Sequence, residues 1–371
     1  MRIAVPLESA PAEHRVALTP DSIARLVKAG HEVRVSRGAG VASGFPDMLY
    51  ETAGATLHAR DSLYAGAALT CRVQPPAADE IALMPEGSAL LSLLMSPTGS
   101  TALPRLAERG IAALALELVP RITRAQSMDV LSSQSTVAGY KAVLVGAAQL
   151  PKFLPMLMTA AGNVTPGRVF VLGAGVSGLQ AIATARRLGA VVSAFDIRPA
   201  AREQVESLGA TFVAAELVTG AAESAGGYAR AQSAEDAQRT RDALTAHLRS
   251  MDLVITTAQV PGKAAPRLIT AAMVDGMRAG AVIVDMAAES GGNCELTRAG
   301  ETVHAHGVTI LGPVNLPASV PYHASQMFGK NILALITHLS RDGALVLDAS
   351  DEITAAMTVV RDGHVVERPS T

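Results

Sequence analysis

The chain has 371 residues, 49% hydrophobic, 17% charged and 3% aromatic, with no tryptophan. That length fits two or three domains, and the composition excludes disorder and leaves small aliphatic side chains to fill the cores. Lys+Arg number 31 against 33 Asp+Glu, a net charge of -2, so no global basic field attracts nucleic acid or acidic lipid, and no nucleic-acid partner is expected.

The N-terminus enters a short apolar run at Ile3-Ala4-Val5 without the apolar core of a signal peptide, so export is not expected. That run reads as a strand. Thr19-Pro20-Asp21 reads as an N-cap with proline at the first helical position, followed by a helix over 22–29 that Gly30 closes. A strand is expected at 32–35, with further strand and helix signals at 68–73, 89–95, 102–109 and 112–117. Strands spaced by helices predict an α/β domain around a parallel sheet.

Residues 134–150 carry only Gly139 and Gly146 as punctuation before Pro151, and predict one helix bridging two domains. The stretch 142–161 is the most membrane-like, but Gln149, Pro151, Lys152 and Pro155 interrupt it, short of the roughly 20 apolar residues of a spanning helix. An apolar strand at 168–172 opens a second β/α series that runs to 309–311. A last helix is expected over 331–339. Residues 357–360, Asp362-Gly363 and 364–366 then form an apolar-turn-apolar pattern that predicts a β-hairpin. Its apolar arms need a cover, and another subunit is the expected one. Cys71 and Cys294 stand far apart without metal-ligand spacing, as in a reduced cytosolic chain with no structural metal.

Gly173-Ala174-Gly175-Val176-Ser177-Gly178 is a G-x-G-x-x-G that directly follows the strand at 168–172 and opens a helix closed by Gly189. A lone match is weak evidence; the strand before it and the helix after it are the confirming context. The chemistry asks for a tight turn at Gly173, backbone approach to a pyrophosphate at Gly175, and close helix–strand packing at Gly178. The next strand, 191–195, ends in Asp196, about 20 residues on, placed as the acid that accepts hydrogen bonds from the adenosine ribose and repels a 2′-phosphate. NAD(H) is thereby favoured as the cofactor, although Arg198 stands where an arginine pairs with a 2′-phosphate.

Ala174, Gly175, Val176, Gly178, Asp196, Ile197 and Arg198 are the expected cofactor contacts. Gln259, beyond the strand that begins at Leu253, belongs to the same carboxyl edge of the sheet. A Gly-rich turn of purely structural role is the alternative. The expected fold is α/β, with two Rossmann-like domains carrying parallel sheets, separated by a cleft and joined by the long helix. Residues 1–130 make the first domain, with 315–371 packing back on it and ending in the hairpin; residues 131–314 make the NAD(H)-binding domain.

Residues 121–134 are the densest polar stretch of an otherwise apolar chain, just before the bridging helix and hence at the expected mouth of the cleft. Arginine, glutamine, aspartate and serine orient a carboxamide, and none shuttles protons at neutral pH. This suits positioning a nicotinamide better than acid–base chemistry. A helix N-terminus rich in capping residues is the alternative.

The opening run from Glu13 to Pro20, the run Arg124-Ala125-Gln126-Ser127-Met128-Asp129, then Thr159-Ala160-Ala161-Gly162, the glycine fingerprint, Pro261-Gly262-Lys263 and Gly291-Gly292-Asn293-Cys294 together resemble the alanine dehydrogenase/transhydrogenase superfamily. Within it, they are most similar to the NAD(H)-binding components (domain I) of proton-translocating NAD(P)+ transhydrogenases. The resemblance spans residues 3 to about 331 and implies a homodimer that passes a hydride from NADH to NADP+ held on a partner subunit, coupled to proton movement through a membrane-spanning subunit. It implies a cytoplasmic location, peripheral to the inner membrane. It also implies that Arg121, Gln126, Asp129 and Ser132 contact the nicotinamide, and that Tyr228 sits on a mobile loop closing over the nucleotide. Gly226 and Gly227 would give that loop backbone freedom, and Gly227 is itself an expected cofactor contact. Ala264 departs from the family's Pro-Gly-Lys-Pro pattern.

The nearest rival is an amino-acid dehydrogenase of the same superfamily, which uses a lysine and a histidine of the first domain. Here the lysines are only Lys28, Lys141, Lys152, Lys263 and Lys330. Cys71-Arg72-Val73-Gln74 stands at the family's lysine position, and 91–95 lacks the histidine. Arg15, which would bind a substrate carboxylate in those relatives, remains. Amine oxidation needs a general base, whereas hydride passage between two nicotinamides needs proximity, orientation and water exclusion. A third possibility is a protein that binds NAD(H) without turnover.

Overall fold

Short aliphatic runs become parallel strands in two separate units. The computed structural model describes residues 1–213, 234–259 and 263–367, without the side chains of 97, 98 and 234–240. One unit comprises Met1–Gln134 and Pro317–Thr371, the other Ser135–Leu316.

The first unit is built on an eight-stranded sheet in the order His364–Val365, Thr358–Arg361, Ala112–Ala115, Ala89–Ser92, Leu69–Cys71, Arg2–Val5, Glu32–Ser36 and Thr56–His58. The six N-terminal strands run parallel, and the two C-terminal ones join antiparallel at one edge. Side chains alternate across a strand: Ile3 and Val5 enter a core with Val33, Val35, Leu69, Leu91, Phe328, Ile332 and Leu335, while Ala4 enters one with Leu90, Leu106 and Ala113. Both faces are covered, which is why these strands read as continuous apolar runs. Each large aliphatic buried this way contributes roughly 1.5–3 kcal/mol.

The second unit holds a seven-stranded sheet in the order Thr211–Phe212, Val191–Phe195, Arg168–Leu172, Leu253–Thr256, Val282–Asp285, Val308–Leu311 and Thr302–Ala305, the last antiparallel to its neighbour. Counting from Arg168–Leu172, the parallel strands run 3-2-1-4-5-6, the doubly wound order whose direction reverses between the first and fourth strands. Phe195, Leu172, Thr256 and Asp285 pair in one row. The residues that follow them leave the sheet together at its carboxyl edge.

The helix Val130–Gln149 crosses the boundary between units at Gln134. It starts four residues before the expected position because Asp129 caps it: Asp129 Oδ1 accepts from the Ser132 N–H at 2.8 Å. Within the second unit, Gly146 lets it lie on the sheet, since a Cβ there would come within 2.6 Å of Leu253 Cδ1. Among the described residues no helix is long and apolar enough to cross a membrane.

Three further elements differ from expectation. The last helix is Pro321–His338, starting at a proline in its first turn rather than at Asn331. Gly329 does not interrupt it but brings it close to Ser22 and Thr19. The hairpin does form, with Val360 opposite Val365, but its first arm is covered within its own unit by pairing with Ala112–Ala115, and Val359 and Val360 are buried. The antiparallel strand Thr302–Ala305 went unanticipated; its residues alternate between exposed and half-buried, so it shows no apolar run.

Candidate dinucleotide site

The fingerprint turn starts where Arg168–Leu172 ends. Gly173 has φ +99°, a left-handed conformation that costs an L side chain energy, and a Cβ on it would stand 2.5 Å from Thr257 Oγ1. Its N–H donates to the Phe195 carbonyl at 2.8 Å, and the Thr257 hydroxyl donates to the Gly173 and Leu172 carbonyls at 3.1 and 3.2 Å. Thr257 lies at the end of the fourth strand. It ties the turn to the switch point of the sheet, a role the sequence reading missed.

The helix Val176–Arg187 begins at Gly175. A Cβ on Gly178 would land inside the Gly173 carbonyl, whereas one on Gly175 would meet nothing within 4 Å. Gly178 is therefore required by packing, and Gly175 is not. Its bareness leaves the backbone open to a ligand at a helix N-terminus, where first-turn N–H groups lack intrahelical partners and the helix dipole favours an anion. The residues fit a dinucleotide pyrophosphate on that observation. Beneath the turn, Gly139 of the long helix packs against Ser177, with no room for a Cβ.

Asp196 follows the second strand and is 7% exposed. Its Oδ2 accepts from the Ala174 N–H at 2.7 Å, which fixes the acid against the glycine turn. Arg198 forks onto the same carboxylate, Nε to Oδ1 at 3.0 Å and Nη2 to Oδ2 at 2.9 Å. Val176 is exposed at the head of the helix, and Ile197 is half-buried against the core. Gln259 donates from Nε2 to the Met286 carbonyl at 2.9 Å, bridging the loops after the fourth and fifth strands. The same loops are held by Asn293, which takes the Ala258 N–H at 3.1 Å and donates to the Ala258 and Pro266 carbonyls, both at 2.8 Å. Asp285, fully buried, accepts from Thr256, Ala287, Cys294 and Thr297. Tyr228 and Gly227 lie outside the described residues, as do Val260, Pro261 and Gly262.

Arg121, Gln126, Asp129 and Ser132 belong to the first unit. Gln126 is exposed on the 3-10 helix Thr123–Met128, whose Ala125 and Met128 are buried. The Asn331 amide holds this turn by donating to the Ser127 carbonyl at 2.8 Å, and Arg124 pairs with Asp351 at 2.9 Å. The Ser132 hydroxyl donates to Asp129 Oδ2 at 2.6 Å. Asp129 and Ser132 thus carry a capping role, which was the alternative reading of this stretch. Asn331 went unnoticed because one amide inside an apolar helix gives no local signal.

Arg15 is buried, with Nε donating to Glu13 Oε1 at 2.8 Å, Nη2 to Oε2 at 2.6 Å and Nη1 to Gln134 Oε1 at 2.9 Å. Gln74, near the relatives' lysine position, donates to Glu13 Oε2 at 2.9 Å. Arg72 is fully buried between Glu80 and Glu8. Burial pushes the Glu8 carboxyl above its ordinary value, against the pull of Arg72 and the Val73 and Gln74 N–H groups. Cys71 and Cys294 are buried free thiols, both pushed up by burial.

A model of the alanine dehydrogenase/PNT N-terminal domain matches residues 4–138, and one of the alanine dehydrogenase/PNT C-terminal domain matches 142–368. The chain belongs to the alanine dehydrogenase/PNT family. Within it, the chain is 46% identical to an NAD(P) transhydrogenase subunit alpha polypeptide of Rhodospirillum rubrum over 375 residues, 99% of this chain and 98% of the relative. A transhydrogenase structure from Sinorhizobium meliloti superposes with a TM-score of 0.90 at 41% identity, covering 99% and 100% of the two chains. The alanine dehydrogenase of Halomonas elongata is more distant, 33% identical with 99% and 95% covered. The family's two-domain α/β architecture is the one described above.

Proposed function

We propose that this chain is the NAD(H)-binding, hydride-donating component of a proton-translocating NAD(P)+ transhydrogenase. One observation carries the choice within the family: Arg15 is buried in a two-point fork with Glu13, and Gln74 shares that carboxylate. An amino-acid substrate would need that guanidinium for its carboxylate and a base for its ammonium. The arginine is already paired, and no lysine or histidine stands at the positions where the relatives carry them. The identity to a transhydrogenase subunit over both full lengths supports the same choice.

The chain's own residues do the binding. The turn Gly173–Gly178 and the N-terminus of Val176–Arg187 receive the pyrophosphate, and Asp196 receives the adenosine ribose. Arg121, Gln126, Asp129 and Ser132 contact the nicotinamide, with Gln126 orienting its carboxamide, and Tyr228 closes over the nucleotide. When bound, the dihydronicotinamide supplies the hydride, which passes to the nicotinamide of NADP+ on a partner subunit. No side chain has to titrate, so the catalytic contribution is proximity, orientation and exclusion of water.

The working assembly is a homodimer of this chain with an NADP(H)-binding subunit and a membrane-spanning subunit. It places the chain in the cytoplasm, peripheral to the inner membrane. Mixing the purified protein with an NADP(H)-binding component, NADP+ and NADH tests the reading: reduction of NADP+ is expected, and the isolated chain given L-alanine and NAD+ is expected to reduce no NAD+. Steady alanine-dependent NAD+ reduction would restore the dehydrogenase reading.

A further inference from the structure

We propose that Arg198 is a specificity-determining residue of the dinucleotide site, one that competes with the adenosine ribose for the carboxylate of Asp196. The inference rests on the dinucleotide reading above and concerns which dinucleotide binds and how tightly.

A carboxylate offers about four acceptor positions. On Asp196, Oδ1 accepts from the Arg198 N–H at 2.8 Å and from Nε at 3.0 Å, while Oδ2 accepts from the Ala174 N–H at 2.7 Å and from Arg198 Nη2 at 2.9 Å. Three of these four bonds come from one residue. The backbone bond is an Asx-type turn, and Pro199 restricts the Arg198 backbone to extended conformations, so local geometry delivers the guanidinium to the acid. The two side chains are only 19% and 8% exposed. Their two-point fork is the strong form of charge-assisted hydrogen bond, and its burial limits screening by salt.

A ribose hydroxyl donating to Asp196 needs an acceptor position that the guanidinium holds. Binding therefore breaks at least one Arg198 contact, and the loss subtracts from affinity. The same guanidinium neutralises the charge whose repulsion of a 2′-phosphate excludes NADP(H). A phosphate also offers the fork an acceptor of its own. Arg198 thus loosens NAD(H) binding and narrows the gap to NADP(H). Both effects have one origin and move together.

Fluorescence titrations of NADH and NADPH against wild type, Arg198→Met, Asp196→Asn and the double variant test this. Methionine removes the fork while keeping an apolar stem. Arg198→Met is expected to bind NADH about threefold to tenfold tighter, the scale of one hydrogen bond regained, and to discriminate against NADPH more strongly. Because the effect runs through Asp196, the NADH gain disappears in the Asp196→Asn background. A loss of NADH affinity in Arg198→Met, or a gain that survives Asp196→Asn, overturns the proposal. If Arg198→Met does not fold, Arg198→Lys keeps the charge without the fork; it is expected to bind NADH about twofold tighter, and no gain there overturns the proposal equally. Wild-type protein that binds NADH with no response to either Arg198 change overturns this inference alone. Wild type that binds neither dinucleotide overturns the dinucleotide reading and this inference with it.

Discussion

The guanidinium of Arg15 grips the carboxylate of Glu13 at two points, Nε–Oε1 at 2.8 Å and Nη2–Oε2 at 2.6 Å, with both side chains almost wholly removed from solvent. Such a pair is weak evidence for stability while intact, but removing one partner strands the other charge in a low-dielectric interior. Glu13→Ala is expected to destabilise the protein by about 3 kcal/mol in denaturant unfolding and to confer no alanine-dependent NAD+ reduction. A change under about 1 kcal/mol would mean that Arg15 finds solvent or another anion on its own.

Gly175 and Gly178 separate ligand recognition from packing. A Cβ on Gly178 collides with the Gly173 carbonyl, so Gly178→Ala is expected to cost roughly 1–3 kcal/mol of stability and NADH binding with it. Gly175→Ala meets open space. It is expected to change stability by no more than about 1 kcal/mol, as cap substitutions do, while weakening NADH at least about tenfold. Equal NADH affinity in Gly175→Ala and wild type would make the turn purely structural.

Gln126 is exposed on a turn that Asn331 and Asp351 hold from outside, through the Ser127 carbonyl and Arg124, so its side chain is free of folding duties that would confuse a binding experiment. Gln126→Ala is expected to slow hydride transfer about tenfold or more while changing the NADH dissociation constant much less, as a positioning residue does. Parallel losses in rate and affinity would make it an ordinary binding contact.

His247 carries an acid-side liability. Burial, and after it the charge of Arg168, holds its imidazole below the ordinary value; the ring stands edge-on to Phe170 with centroids 4.5 Å apart. Unfolded histidine takes up a proton near pH 6.5, and the folded one only at lower pH. The unfolded state therefore binds more protons in that window, and stability falls as pH drops through it. His247→Gln, which keeps a partner for Ser193 Oγ, is expected to flatten the fall in Tm between about pH 7 and about pH 5.5. An unaltered slope would assign the acid sensitivity to other groups.

What could be read from residues alone followed how local the signal is. The strand Arg168–Leu172, the glycine turn, the strand Val191–Phe195 and Asp196 are contiguous, and the fold sets them as the motif implies because each constraint acts within a few residues. The pairing of the C-terminal strand Thr358–Arg361 with Ala112–Ala115 joins segments far apart in sequence, and neither carries a mark of its partner. The same holds for Thr257 and for Asn331, whose contacts to Gly173 and Ser127 cross long sequence distances. Asp129 and Ser132 show the opposite limit. Their composition announced both a cap and a nicotinamide contact, and only the folded chain shows that they bond to each other.

Direct hydride passage from dinucleotide to dinucleotide, with no titrating group between them, is the step on which the proposed function rests. Single-turnover transfer from NADH deuterated at the transferring C4 position, with the chain mixed with an NADP(H)-binding partner in ordinary water, tests it most directly. NADPH that retains the deuterium at C4 is the expected product. NADPH without deuterium, or no transfer at saturating protein, would contradict direct passage.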